Sequence, residues 1–237
     1  MTNSAQHGPR TIFQMGMSEF WSGDLGLTLV SISLIVLIFI VFPLREAGLP
    51  GRIFFDLIIV TLMIMGTLAV NQSRVATVST IVIVLAAIIA LTTGRVRPTP
   101  VIHEIGSVLS VVALFLYIRI VLLVMFRAGP VTWSRIQGGV CAYLLLGLAW
   151  GSAYELLEEL HPGSFHFVST PTSVDQLTAK LTYFSFSTLT TVGFGDVTPL
   201  HPFARSLATA EAIVGQLFPA ILIGALVAMA LQTHSKS

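Results

Sequence analysis

Charged residues are scarce in this chain, and their scarcity excludes most classes of soluble protein. Only 12 Lys and Arg and 11 Asp and Glu occur among 237 residues, so that 10% of the chain is charged and 54% is hydrophobic. An average soluble domain has about 25% charged residues, and these side chains form much of the surface that separates its apolar core from water. The net charge of +1 gives no basic field that would attract a nucleic acid. The composition therefore indicates an integral membrane protein.

Cysteine is nearly absent as well. Cys141 is the sole cysteine, which excludes a disulfide framework within the chain and a metal site built from several cysteines. It lies in an apolar segment, where a thiol usually serves as a small buried hydrophobic group. Since the sequence also has no phosphate-binding loop and no catalytic triad, we predict that the protein is not an enzyme and binds no nucleic acid.

Long apolar segments dominate the rest of the sequence, and each has about the 20 residues that a helix needs to cross a bilayer. We predict membrane spans at Leu25–Leu44, Ile53–Val70, Val75–Thr93, Val101–Phe126, Trp133–Leu157 and Phe203–Leu231. The polar turn between the second and third spans needs water and therefore separates them. Residues 1–24 do not resemble a signal peptide, and they form either a short interfacial helix or a disordered tail.

A shorter helix is predicted at Val174–Thr190, between the last two spans. Ser173 or its neighbour can cap it, and Gln176 follows Ser173 at the spacing of a capping box. At 1.5 Å per residue this helix is only about 24 Å long, which is marginal for a crossing. It leads into Thr190–Asp196, where two glycines surround one aromatic residue. The pattern predicts a half-helix that enters the membrane, turns and leaves on the same side, along a watery path or buried in protein.

The segment Thr191–Gly195 has glycine at alternate positions. Glycine allows backbone conformations that are closed to residues with a Cβ atom, and alternating handedness turns successive carbonyl groups to one side. Several copies around an axis would stack rings of neutral oxygens, with the Thr191 hydroxyl adding a ring at the inner end. Such rings can replace the water shell of a monovalent cation without trapping it. The half-helix C-terminus, with about half a negative charge, favours a cation below them.

The sequence Thr-Thr-Val-Gly-Phe-Gly-Asp at residues 190–196 resembles the signature of potassium channels of the pore-loop family of tetrameric cation channels, with phenylalanine where tyrosine is more common. The resemblance covers about residues 133–232. It implies that dehydrated potassium ions bind the Thr191 side chain and the carbonyl oxygens of Thr191, Val192, Gly193 and Phe194. It further implies that Gly195 permits this geometry, that Asp196 lies at the outer mouth, and that a homotetramer surrounds one pore.

The resemblance also implies a fold: an all-α integral membrane protein with six transmembrane helices and a re-entrant pore helix and selectivity filter between helices five and six. We divide the chain into an N-terminal segment (1–24), a four-helix bundle (25–128) and a pore domain (129–237) of the two-span type. Voltage sensors of the family carry arginine at every third position, whereas the fourth span has Arg119 and, near its end, Arg127. Steep voltage gating is therefore not expected.

Four polar residues are predicted to support the filter: Ser187, Thr188, Thr190 and Glu211. Ser187 stands where some potassium channels carry a glutamate behind the filter. Ionisable residues inside a membrane are expensive and usually face protein or water. We therefore expect Glu211 either to form a hydrogen bond near the pore helix, toward Ser187 or Thr188, or to line the ion path.

The last span contains the predicted gate. Gly215 follows Gly195 by twenty residues, where pore-lining helices of the family often have a hinge glycine, and Pro219 removes a backbone hydrogen bond. A bend between Gly215 and Pro219 is the first hypothesis, and the alternative is that Gly215 only permits close helix contact. Gln216 is a candidate residue of the pore cavity.

The acidic residues of the predicted outer mouth are Glu155, Glu158, Glu159, Asp175 and Asp196. They either concentrate cations at the entrance or form a solvated rim without such an effect. The filter resemblance places this end outside the cell, with both termini in the cytoplasm and the chain in the plasma or inner membrane. Lys and Arg are spread evenly over the two sides, so the positive-inside rule adds nothing.

The predicted function is passive, potassium-selective conduction, with potassium as the permeant ion. The predicted partners are other copies of the chain and membrane lipids, with a separate regulatory subunit left open. A weakly selective monovalent cation channel is an alternative, because Phe194 and Ser187 loosen the surroundings of the filter. A potassium transporter subunit and a non-conducting scaffold are further alternatives.

Overall fold

A computed structural model describes residues 25–47, 100–125 and 133–234. The described elements, in chain order, are α1 (Leu25–Val36), a π-helical turn (Leu37–Val41), α2 (Phe42–Glu46), α3 (Pro100–Met125), α4 (Trp133–Leu160), β1 (Phe165–Phe167), α5 (Val174–Leu189), β2 (Val197–Pro199) and α6 (Pro202–His234). Predicted spans one, four, five and six thus fall on helices. The second and third spans, the segment 1–24 and Arg127 lie outside the described residues.

Two described helical segments are long and apolar enough to cross a membrane, Arg135–Leu160 in α4 and Pro202–Leu231 in α6. Shorter apolar helical segments lie at Thr28–Leu44 and Ser107–Leu123. Between the two long helices, α5 has 16 residues and is about 24 Å long, which is short for a crossing. The architecture is therefore mostly helical, with two long apolar helices and a pore-region helix between them.

The prediction of an all-α chain is wrong in one detail. Strands β1 and β2 pair antiparallel, with Phe165 opposite Pro199 and Phe167 opposite Val197. Each strand has only three residues, too few for a period of two to stand out in the sequence. The pair joins the loop after α4 to the segment that follows the predicted filter.

The core lies around α4, which packs against α1, α3, α5 and α6. Leu34, Tyr117, Cys141 and Leu145 belong to one buried cluster that joins α1, α3 and α4. Cys141 is fully buried, and its Sγ atom lies 3.0 Å from the Ser31 hydroxyl. A small buried thiol is what the apolar setting of Cys141 predicts.

A second buried cluster joins the outer half of α4 to α5 and β1. Its aromatic members are Tyr154, Phe165 and Phe184, whose ring centroids are 5.1 to 5.5 Å apart in tilted and edge-on pairs. Aromatic pairs in these geometries are worth about 0.5–1.5 kcal/mol each beyond the area that they bury. The cluster fixes α5 against α4 and thereby sets the position of the filter that follows α5.

Helix α2 also contacts α5. The Lys180 ammonium lies 3.0 Å from the Glu46 carboxylate, and Gln176 Nε2 donates to the Glu46 carbonyl at 3.3 Å. The Glu46 side chain is 45% exposed and that of Lys180 is 14% exposed. This ion pair therefore lies at the edge of the helix contact and is partly screened by its surroundings.

We expect the Glu46–Lys180 pair to contribute little stability. A double-mutant cycle with Glu46→Gln and Lys180→Met should give a coupling free energy of at most about 1 kcal/mol, the usual range for exposed pairs. Thermal unfolding of the four proteins in the same lipid environment measures it. A coupling several times larger would mean that the contact of α2 with α5 is a main support of the pore helix.

Candidate ion-binding site

The N-terminus of α5 is capped as the sequence predicts. Ser173 has an extended backbone, and its Oγ atom accepts the Gln176 N–H at 3.2 Å. In turn, Gln176 Oε1 accepts the Thr172 N–H at 2.8 Å. At the other end, the Thr190 N–H still donates to the Phe186 carbonyl at 3.1 Å. Since the helix ends there, its negative dipole end adjoins the predicted filter.

The filter segment has an alternating backbone. Positive φ angles of 59°, 62° and 82° occur at Thr191, Gly193 and Gly195, whereas the residues between them have negative φ. Glycine adopts this conformation readily. For a β-branched residue such as Thr191 it is an outlier that the surrounding structure must hold.

Four consecutive N–H groups of the filter point back to α5. The N–H groups of Val192 and Gly193 donate to the Ser187 carbonyl at 2.9 and 3.2 Å, and that of Thr191 donates to the Thr188 carbonyl at 2.9 Å. The Phe194 N–H donates to Ser187 Oγ at 3.2 Å. Ser187 is itself buried. Its carbonyl and hydroxyl groups together accept three of the four bonds.

The direction of the carbonyl groups follows from these bonds. In a trans peptide the C=O group of one residue points opposite to the N–H group of the next. The carbonyl oxygens of Thr190, Thr191, Val192 and Gly193 therefore point away from α5. Three of these four residues are among those that the sequence assigns to ion coordination, and all residues from Thr191 to Asp196 are exposed within one chain. The segment presents a row of neutral oxygens, as a site for a dehydrated monovalent cation requires.

The Asp196 end of the predicted filter is held by an aromatic contact and by the loop after α4. The Phe194 ring stacks on Tyr183 with centroids 5.8 Å apart and planes 15° apart. The Asp196 carbonyl accepts the Val168 N–H at 3.0 Å, and its carboxylate accepts the Val197 N–H at 3.1 Å. The side chain at position 194 thus contacts α5 through ring stacking, without a hydroxyl group.

Besides Asp196, two further acidic residues expected at the outer mouth hold local structure. Glu158 accepts the N–H groups of Gly163 and Phe165 at 2.8 and 3.1 Å, which holds the turn after α4. Glu155 accepts the Thr178 hydroxyl at 2.5 Å. Neutralising these residues would therefore change the loop as well as the field, so they do not give a clean test of cation attraction.

Glu211 lies in α6, is fully buried and bonds to α5 and α4. Its carboxyl oxygens lie 2.5 Å from the Ser185 hydroxyl and 2.5 Å from the Tyr154 hydroxyl. The expected contact with the pore helix is present, but through Ser185 instead of Ser187 or Thr188. The sequence analysis did not predict Tyr154 and Ser185 as partners of Glu211. Their hydroxyl groups, which need hydrogen-bond partners in apolar helices, were the only sign of this contact.

Gly215 lies against the C-terminal end of α5. A Cβ atom added at this position would be 1.9 Å from the Leu189 carbonyl oxygen. The same oxygen accepts the Tyr143 hydroxyl of α4 at 3.2 Å. α6 continues as one helix through Pro219. This geometry fits the alternative in which Gly215 permits close contact between helices. A bend between Gly215 and Pro219 stays a prediction.

Gln216, the next residue, reaches the filter. Its Nε2 group donates to the Thr191 Oγ1 atom at 2.9 Å. Thr190, by contrast, turns its hydroxyl back to the Phe186 carbonyl at 2.7 Å. Ser187, Thr188 and Gln216 therefore form hydrogen bonds with the predicted filter. Glu211 bonds Tyr154 and Ser185 instead.

Comparison with known proteins points to the same part of the chain. Residues 142–232 match the model of a family described as an ion channel. The chain is 35% identical over 85 residues to Protein LctB of Bacillus caldotenax, an alignment that covers 34% of this chain and 61% of that protein. The chain thus spans less than two thirds of the curated relative that it matches. No solved structure matches the chain. Over residues 142–232 the chain is thus similar to a family of ion channels, which are not enzymes.

Proposed function

We propose that the ion channel domain at residues 142–232 conducts potassium selectively, through a pore that four copies of the chain surround. The observation that carries the proposal is the backbone of Thr191–Gly195, with positive φ at every second residue and N–H groups turned to α5. Rings of such carbonyl oxygens replace the water shell of an alkali ion. One such strand per chain needs further copies to form a ring, and four is the number that the filter resemblance implies.

The surface of α6 supports an assembly in the membrane. Seven of its large apolar side chains stand more than half exposed within one chain, and they are Phe203, Ile213, Leu217, Ile221, Ile223, Val227 and Leu231. A continuous apolar face of this size requires lipid or protein against it. We assign the cytoplasmic side to the inner end of the filter at Thr191, which places Asp196 outside and both chain termini in the cytoplasm.

Ion-replacement recording on the purified, reconstituted full chain tests the proposal. In a potassium gradient opposed by sodium, the reversal potential should lie near the potassium equilibrium potential, and barium should block the current. A reversal potential near zero would favour the second candidate, a weakly selective cation channel. That candidate is favoured by Phe194, which has no hydroxyl group to tie the filter to α5. Absence of any current would remove both.

Two glycine variants link the current to the filter. Gly193→Ala and Gly163→Ala place a side chain at φ angles of 62° and 85°, and neither added Cβ has an atom within 4 Å. Each therefore carries a similar backbone penalty of about 1–2 kcal/mol. We expect Gly193→Ala to abolish selective conduction and Gly163→Ala, in the loop after α4, to keep it. Equal loss in both would assign the effect to folding.

A further inference from the structure

We infer that Gln216 is a positioning residue for the innermost ion-binding ring of the filter, acting through the Thr191 hydroxyl. The inference rests on the proposed function. Gln216 Nε2 donates to Thr191 Oγ1 at 2.9 Å, across the boundary between α6 and the filter. Its neighbour Gly215 lies against the Leu189 carbonyl. Close backbone contact at one residue thus places the next side chain at the foot of the filter.

The chemistry of the hydroxyl explains why a donor is useful here. A threonine hydroxyl has one proton and two acceptor lone pairs, and it normally rotates to suit its surroundings. The Gln216 amide occupies one lone pair, which restricts the rotation and leaves the other lone pair for a cation. The amide is neutral, so it orients the oxygen without repelling the ion as a lysine would.

The backbone of Thr191 also has to be held in place by its surroundings. Its φ of 59° is a conformation that β-branched residues rarely adopt. Its N–H is fixed on the Thr188 carbonyl at 2.9 Å, and the Gln216 bond fixes the side chain. The Val192 N–H is fixed on the Ser187 carbonyl at 2.9 Å, and this bond sets the direction of the Thr191 carbonyl. The carbonyl and the hydroxyl oxygen of Thr191, which together form the inner end of the predicted filter, are therefore both held.

Barium block from the cytoplasmic side measures the occupancy of that inner end, because Ba²⁺ is nearly the size of K⁺ and carries twice the charge. We expect Gln216→Leu to weaken barium block about tenfold, equivalent to about 1.4 kcal/mol, since the free hydroxyl rotates. Gln216→Glu should strengthen it. An ionised carboxylate only accepts hydrogen bonds, so the Thr191 hydroxyl must donate its proton to the introduced carboxylate. Both lone pairs of the hydroxyl oxygen are then available to the cation.

A double-mutant cycle shows whether the effect passes through Thr191. Thr191→Val keeps the β-branched shape and removes the hydroxyl, and in that background Gln216→Leu should change barium block less than twofold. Thr191→Ser keeps the oxygen and should preserve the Gln216 effect. The control variant is Thr209→Val, which removes an α6 hydroxyl that bonds only the Arg205 carbonyl of its own helix among the bonds described.

The outcomes separate this inference from the proposed function. A chain that carries potassium and is blocked by barium, but whose block is the same in Gln216→Leu, overturns the role of Gln216 alone. So does an equal effect of Gln216→Leu with and without the Thr191 hydroxyl. A wild-type chain without potassium flux overturns both.

Discussion

Replacing Gly215 by alanine is expected to abolish conduction, because the added methyl group has no room between α6 and α5. Its carbon atom would lie 1.9 Å from the carbonyl oxygen, 2.7 Å from the carbonyl carbon and 3.0 Å from the Cα atom of Leu189. These are backbone atoms at the end of a helix, and they cannot rotate away as a side chain can. α5 and α6 must separate, and the filter that begins two residues after Leu189 must move with α5.

Gly215→Ala should impair potassium conduction at the filter more than it impairs folding. Displacement of Leu189 also breaks the bond that its carbonyl accepts from Tyr143, and it moves Thr191 away from Gln216. The positional precision that catalysis needs applies to ion coordination as well, since oxygens moved by about 1 Å no longer match a dehydrated ion. We therefore expect a folded Gly215→Ala protein in the membrane that carries less than about a hundredth of the wild-type potassium flux.

Two variants in the same helix control this experiment. Gly224→Ala adds the same methyl group where nothing lies within 4 Å, and it should conduct as the wild type does. Pro219→Ala restores a backbone donor and tests the hinge separately, through single-channel open probability. If Gly215 served only as a hinge, Gly215→Ala would keep its conductance and change open probability alone, and the close-contact interpretation would be wrong.

Local sequence patterns predicted the pore helix and its ends well. The Ser173 cap, the end of α5 near Thr190 and the unusual backbone at Gly193 and Gly195 depend on residues within a few positions of one another. The positive φ of Thr191 was not predicted, since threonine rarely adopts it. Thr191 in this conformation bonds Thr188 and Gln216, and the second of these residues comes from another helix.

The partner of Glu211 shows why contacts between helices were harder to predict. Residues of a helix are about 100° apart, so Ser185 and Ser187 lie about 200° apart around α5. Ser187 faces the filter, where its carbonyl and hydroxyl accept filter N–H groups. Ser185 therefore faces the opposite side, toward α4 and α6, and is the serine that Glu211 can meet. The sequence contains both serines but not the rotation of α5.

Removing the Glu211 carboxyl group is expected to have the second largest effect, this time on stability. Glu211 and Ser185 are fully buried, as is Tyr154, and the two hydroxyls bond the carboxyl oxygens at 2.5 Å. Glu211→Leu leaves both hydroxyls without this partner inside the helix bundle. The Ser185 hydroxyl can still donate to the Gly147 carbonyl at 2.7 Å, so the Tyr154 hydroxyl is the group that loses its described partner. Since an unsatisfied buried group costs about 1–3 kcal/mol, we expect a loss of about that size in the free energy of unfolding.

Glu211→Gln should change the free energy of unfolding very little, because of the number of protons in the hydrogen-bond network. Ser185 Oγ lies 2.7 Å from the Gly147 carbonyl oxygen and 2.5 Å from Glu211 Oε1, but a hydroxyl has one proton to donate. A protonated Glu211 completes the chain: Tyr154 donates to Oε2, the carboxyl proton goes to Ser185, and Ser185 donates to Gly147. A glutamine amide supplies the same donor and the same acceptor.

Thermal unfolding of the reconstituted protein distinguishes this network from an ionised carboxylate. Glu211→Gln should unfold within about 1 kcal/mol of the wild type, well apart from Glu211→Leu. The double variant Glu211→Leu, Tyr154→Phe also removes the hydroxyl that loses its partner and should recover part of the stability that Glu211→Leu loses, because replacing both partners by apolar groups is often tolerated. If Glu211→Gln is as unstable as Glu211→Leu, the buried group must be a charge, and α5 would then be held to α6 by a carboxylate that only accepts hydrogen bonds.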